Sequence, residues 1–173
     1  MAVLYGKGDY VRYAASGICL IDDIRQEIQP GSRERKEFYI LKPVANHGGT
    51  IFVPSDSPVL LEKMKAVPSA EEISQLLLSA KAQEAAWIDD RKTRTAAFQT
   101  VLKQCDMQSL LEMVSCLYRR RKAVAARGKK LSASDEASLR RAEGILENEL
   151  SFVLKIPEKQ VGAFLREQLG IDE

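Results

Sequence analysis

The hydrophobic pattern changes period once, near Pro68, and that change limits the chain to two folded parts of different class. Before it, the short β-branched and aromatic runs GDYVRYA, GICLIDDIRQEI, KEFYILKPV and GTIFVP alternate with turn-forming clusters, the signature of strands. Gln29-Pro30-Gly31-Ser32 supplies Pro and Gly for a tight turn, and Asn46-His47-Gly48-Gly49 supplies residues that tolerate positive φ, so both read as hairpin loops. Pro54 lacks an N–H to donate, so it ends the last long strand or holds it at a sheet edge. An open edge is either protected or used to pair with another protein.

After Pro68 the apolar spacing becomes helical. Ser69 with Glu72 predicts a capping box, followed by the stripe Ile73, Leu76, Leu77 and Ala80. Asp89-Asp90 marks a second helix start, with Phe98, Val101 and Leu102 as its stripe. Asp106 caps a third helix with the apolar face Leu110, Leu111, Met113, Val114, Leu117 and Tyr118, and Gly128 ends it. Ser132 with Asp135 opens a fourth, whose core face runs from Leu139 to Leu154, and Pro157 suits the first turn of a fifth that ends near Gly170. The expected fold is therefore α+β with two domains: a small β-barrel over residues 1–67, then an all-α domain of about five helices over residues 68–173.

At 173 residues with 45% hydrophobic content, the chain can bury one good core or two small ones. The start MAVLYGKGDY lacks the basic and apolar regions of a signal peptide, and no apolar run approaches a membrane span, so a soluble cytoplasmic protein without a membrane partner is expected. Cys19, Cys105 and Cys116 are odd in number and far apart and form no CxxC; they suit a reducing compartment as small buried hydrophobes.

Catalytic chemistry finds no foothold. His47 is the only histidine, so it has no second histidine with which to form a metal or base pair. There is no GxxxxGK[ST], and Gly6 and Gly8 precede a strand instead of following one. Asp22-Asp23 and Asp89-Asp90 are adjacent, so their side chains diverge; they read as turn or cap residues. No enzyme activity, cofactor, metal or small-molecule substrate is expected.

Charge points elsewhere. Residues 91 to 130 hold eleven Lys and Arg against Asp106 and Glu112, nine net positive charges in a chain whose total is +2. A solvated helix face normally mixes signs, because like charges three or four residues apart repel. The asymmetry suits a polyanion, of which nucleic acid is the commonest. Arg91, Lys92 and Arg94 lie nearest the sole tryptophan, Trp87. Arg119, Arg120, Arg121 and Lys122 are consecutive and fan around a helix, so they cannot all face one phosphate backbone. Arg127, Lys129 and Lys130 flank Gly128, where cations serve either DNA or the carboxyl end of a helix dipole. Trp87 reads either as a core anchor or as a stacking platform for bases.

In order and spacing, GDYVRY, Gly17, EFYILK and IFVP, then LLEMVSCLYRR and GKKLSASDEASLRRAEGILENEL, resemble the CarD/CdnL family of bacterial transcription regulators over residues 5 to 155. The resemblance implies a Tudor- or SH3-like barrel that binds the RNA polymerase β subunit; this front part is also similar to the polymerase-interacting domain of the transcription-repair coupling factor. It further implies a helical domain that touches promoter DNA upstream of the melted region, with little sequence specificity, in the bacterial cytoplasm and in association with the nucleoid. Trp87 then corresponds to a minor-groove wedge, and promoter opening is the step biased. The implied DNA-binding set is Trp87, Arg91, Lys92, Arg94, Arg119, Arg120, Arg121, Lys129 and Lys130. The polymerase-binding set is Arg25, Ile51 and Phe52, with Phe52 equally suited to the barrel core.

The chain departs from the family in four places. Trp87 lies about one helical turn upstream of its expected position. Ile88-Asp89-Asp90 replaces residues that are more often basic, Phe52 stands where arginine is common, and Glu136 follows Asp135 where a basic residue is usual. Two other classes remain open: a protein-interaction adaptor whose basic helical domain binds an acidic protein, and an RNA-binding translation or ribosome factor.

Overall fold

The computed structural model describes residues 5–45, 49–83 and 86–171, and the chain divides into two compact units, Met1–Val67 and Pro68–Glu173. In the front unit, β1 (Tyr10–Tyr13), β2 (Ile18–Ile28), β3 (Arg35–Pro43) and β4 (Ile51–Pro54) fall on the four alternating runs. A short helix α1 (Pro58–Leu61) and a three-residue strand β5 (Met64–Ala66) follow; neither is long enough to carry a period of its own. The sheet is antiparallel in the order β4-β3-β2-β1-β5, so β4, ending in Pro54, is an edge strand.

One buried cluster draws on every strand: Val11, Cys19, Ile21, Tyr39, Leu41, Val53 and Met64. A sheet whose five strands share one core has to curl around it, as in a Tudor-like barrel, and the bend has a visible origin. Register slips between Ile21 and Asp23, which makes Asp22 the extra residue of a β-bulge. The Asp22-Asp23 pair therefore lies inside β2, not at a turn or cap as expected, and its charges face partners on the sheet: Lys42 at 3.3 Å from Asp22 and Arg25 at 3.3 Å from Asp23. The first hairpin loop turns as its residues predict, with Ser32 N–H donating to the Gln29 carbonyl at 3.0 Å and Gly31 at φ +83°. His47 and the centre of the second loop lie outside the described residues.

The rear unit contains α2 (Ala70–Ala82), α3 (Arg91–Gln104), α4 (Met107–Ala125), α5 (Ala133–Leu154) and α6 (Glu158–Leu169). Four begin at the residues whose side chains were expected to cap them. Ser69, Asp90, Asp106 and Ser132 accept from the N–H groups of Glu72, Thr93, Ser109 and Asp135. Each such cap satisfies an otherwise orphaned donor and is worth about 1 kcal/mol. After Ala125, α4 unwinds through a turn to Gly128, which takes φ +71°, a conformation that side chains with a Cβ resist. Helix α4 packs against all four other helices of this unit and buries Leu110, Leu111, Val114, Leu117 and Tyr118 almost completely. Each leucine contributes about 1.5–3 kcal/mol of transfer free energy. Cys105 is buried and Cys116 half-buried. Among the described residues no helix is long and apolar enough to cross a membrane, and no group of three or more His, Cys, Asp or Glu is placed to hold a metal.

Candidate functional site

Residues 86–89 belong to no helix or strand, and Trp87 stands three residues before Asp90, the N-cap of α3. The Asp90 carboxylate accepts from the Thr93 N–H at 2.9 Å and the Thr93 hydroxyl at 2.6 Å, and these bonds hold it below its ordinary pKa. The indole is half-buried. It packs against the helical core, edge-on to Phe98 with ring centroids 6.4 Å apart. Two guanidinium groups lie against its ring, Arg94 at 4.5 Å and Arg120 at 4.9 Å from the centroid. Beside the ring, Phe98, Val101, Met113 and Cys116 line a cavity of about 210 Å³. Burial there raises the Cys116 thiol above its ordinary pKa, with the neighbouring arginines opposing the shift, so the thiol is not a reactive thiolate.

Arg94 is placed differently from the expectation of a phosphate contact. It is only 7% exposed, and its guanidinium is already occupied. Nε and Nη2 donate to the two carboxylate oxygens of Asp135, each at 2.9 Å, while Nη1 donates to the carbonyls of Ile88 at 2.9 Å and Asp89 at 3.2 Å. Asp135 is likewise buried and accepts from the Ser132 hydroxyl at 2.8 Å. Burial pushes its carboxyl pKa up, but the Arg94 and Ser132 hydrogen bonds and the Arg94 charge outweigh it and hold the pKa below the ordinary range.

The remaining basic residues separate by environment. Arg91 is exposed on α3 and donates from Nε to the Ser134 hydroxyl at 3.3 Å; Lys92 is exposed beside it. Arg119, half-buried, donates from Nη2 to the Lys81 carbonyl at 3.0 Å and so serves the carboxyl end of α2. With Lys81 and Lys122 it lines a cleft of about 460 Å³. Arg121 lies 5.0 Å from the Tyr118 ring centroid. The three consecutive arginines thus reach three different neighbours, and of them Arg120 joins Trp87. Lys129 and Lys130 are exposed between α4 and α5.

In the front unit, register decides which candidates share a face. Arg25 pairs with Phe38, and Phe52 with Ile40 two residues further along β3, so Arg25, Phe38, Ile40 and Phe52 lie on one face. Phe52 is 50% exposed and meets Phe38 edge-on at 6.3 Å. It is not barrel core. Arg25 is held between Asp23 at 3.3 Å and Glu27 at 3.8 Å, on the same strand face. Ile51 pairs with Leu41 and packs on the barrel core from the opposite side of the sheet, so it does not join the other two. Phe38 shares this face through strand pairing, which local pattern does not encode.

Residues 5–65 match the family model of the CarD-like/TRCF RID domain, and residues 73–166 match that of the CarD C-terminal domain. No curated protein matches the chain. CarD-like proteins are non-catalytic transcription factors, and the CarD/TRCF RID domain is an RNA polymerase-interacting module. With the two family models matched in order and the second covering more than half of the sequence, the chain belongs to the CarD family of transcription-associated, RNA polymerase-interacting regulators.

Proposed function

We propose that the protein docks on the RNA polymerase β subunit through its front unit and applies Trp87 to promoter DNA at the upstream edge of the melted region, favouring the open complex. One observation carries this reading: the sole tryptophan is partly exposed in a loop, backed by the helical core, with the Arg94 and Arg120 guanidinium groups against its ring and Arg91 and Lys92 exposed on the helix that follows, α3. A pure core anchor has no need of two guanidinium groups against a partly exposed ring. An indole that stacks on an unpaired base step contributes about 1–3 kcal/mol per base.

The effect depends on differential affinity. A factor that bound closed and open complexes equally would shift nothing, whereas 1–3 kcal/mol gained only in the open state shifts the ratio roughly 5- to 150-fold. Docking of the front unit supplies effective concentration, so a weak DNA contact with little sequence readout suffices. Arg25 and Phe52, with Phe38 between them, are the proposed polymerase-facing residues. Arg91, Lys92, Arg120, Lys129 and Lys130 are the proposed backbone contacts; Arg119 and Arg121 are secondary because each already has a neighbour within the unit. Such a factor works in the bacterial cytoplasm at the nucleoid.

The test is fluorescence-monitored promoter opening by polymerase holoenzyme, with wild type and Trp87→Ala compared at matched polymerase occupancy. The expected result is a shift in open population with wild type that Trp87→Ala loses. If neither protein alters opening and neither binds polymerase, the adaptor reading replaces this one.

A further inference from the structure

We propose that Arg94 and Asp135 form a clamp that positions Trp87, so that both residues govern promoter opening without touching DNA. The inference rests on the wedge reading above and adds two residues to it. The loop bearing Trp87 has no helix or strand to fix it. Arg94, from the first turn of α3, spans three parts of the unit at once. Its fork binds Asp135 at the start of α5, 41 residues away in sequence; its third nitrogen binds the carbonyls of Ile88 and Asp89; and its guanidinium carbon lies 4.5 Å from the indole centroid. Only a planar guanidinium offers an edge for carboxylate and carbonyls and a face for an aromatic ring simultaneously. Asp135 is oriented in turn by the Ser132 hydroxyl that caps α5, so the position of the α5 start is transmitted to the Trp87 loop.

Stability alone is a poor reason for such a pair. A buried ion pair loses much of its attraction to desolvation, and an apolar pair of similar volume often serves as well. What it supplies is geometry. A wedge has to be held in place, because an indole free to swing spends the gain from stacking on being ordered.

Because Trp87 is the only tryptophan, its emission reads the clamp directly in the full-length protein. The variants are Arg94→Lys, which keeps the charge but not the fork, and Asp135→Asn, which keeps the shape but not the charge. Asp106→Ala, which removes the α4 cap, is the control for general loss of stability. Both clamp variants are expected to red-shift Trp87 emission and increase its quenching by acrylamide at temperatures where all proteins are folded. They are also expected to lower the promoter-opening effect about tenfold with polymerase affinity unchanged. Asp106→Ala is expected to melt earlier while keeping wild-type emission and opening. Wild-type emission in both clamp variants overturns the proposal, as does an equal shift in Asp106→Ala, and so does full opening by Arg94→Lys where Trp87→Ala has none. If Trp87→Ala opens promoters like wild type, the wedge reading fails instead, and the emission data still decide whether the clamp orders the loop.

Discussion

Phe52→Ala is expected to cost no more stability than Ile51→Ala, its neighbour on the edge strand β4, and yet to lose far more polymerase binding. Phe52 is 50% exposed, so truncation forfeits about half of the 1.5–3 kcal/mol that a buried phenylalanine is worth. Loss of the edge-on Phe38 contact adds about 0.5 kcal/mol or more. The sum is about 1–2 kcal/mol. Ile51 is mostly buried on the barrel core, and scaling the roughly 2–5 kcal/mol of a fully buried Ile→Ala change gives about 1.5–4 kcal/mol, at least as much as for Phe52. Ile51→Ala thus controls for loss of stability in Phe52→Ala. If the Arg25–Phe38–Phe52 face docks on polymerase, Phe52→Ala removes a central aromatic contact worth about 2 kcal/mol, close to a 30-fold rise in Kd. Ile51→Ala, pointing into the barrel, is expected to change Kd less than about threefold. Calorimetric melting of the full chain and a titration of core polymerase at fixed ionic strength measure both quantities. Equal loss of affinity in the two variants refutes the assignment by strand face; no loss in either refutes the docking surface.

Two further outcomes follow from the helical unit. Because the Asp135 carboxyl is held below its ordinary range in the folded state, its contribution to stability is present above the unfolded carboxylate pKa near 4 and is lost as pH falls through the folded value. Trp87 emission during acid titration should report this transition, and in Asp135→Asn that component should be absent. In duplex-DNA titrations against salt, Arg91→Ala and Arg120→Ala should each flatten the log–log slope by about 1, whereas Arg94→Gln, whose side chain is already spent on Asp135 and the loop carbonyls, should leave it unchanged. A slope reduced as much by Arg94→Gln as by Arg91→Ala would show that the buried arginine reaches phosphate after all.

The parts of this protein legible in its sequence are those set by neighbours within a few residues. The alternating runs placed four strands, and Ser69, Asp90, Asp106 and Ser132 marked four helix starts, because a cap bonds an N–H three residues on. Composition likewise exposed the cationic stretch from 91 to 130. Strand β5 was invisible because three residues show no period; its pairing with β1 supplies the order that its own sequence lacks. The face shared by Arg25, Phe38 and Phe52 depends on register across three strands, including a slip at Asp22. Arg94 shows the limit most plainly. In sequence it is one of eleven positive charges near a tryptophan, and nothing local separates it from Arg91. Only the packing of α3 on α5 brings Asp135 to 2.9 Å and removes the guanidinium from water. Sequence counts charge, but desolvation and pairing across 41 residues decide whether that charge meets a ligand or holds the loop beside it.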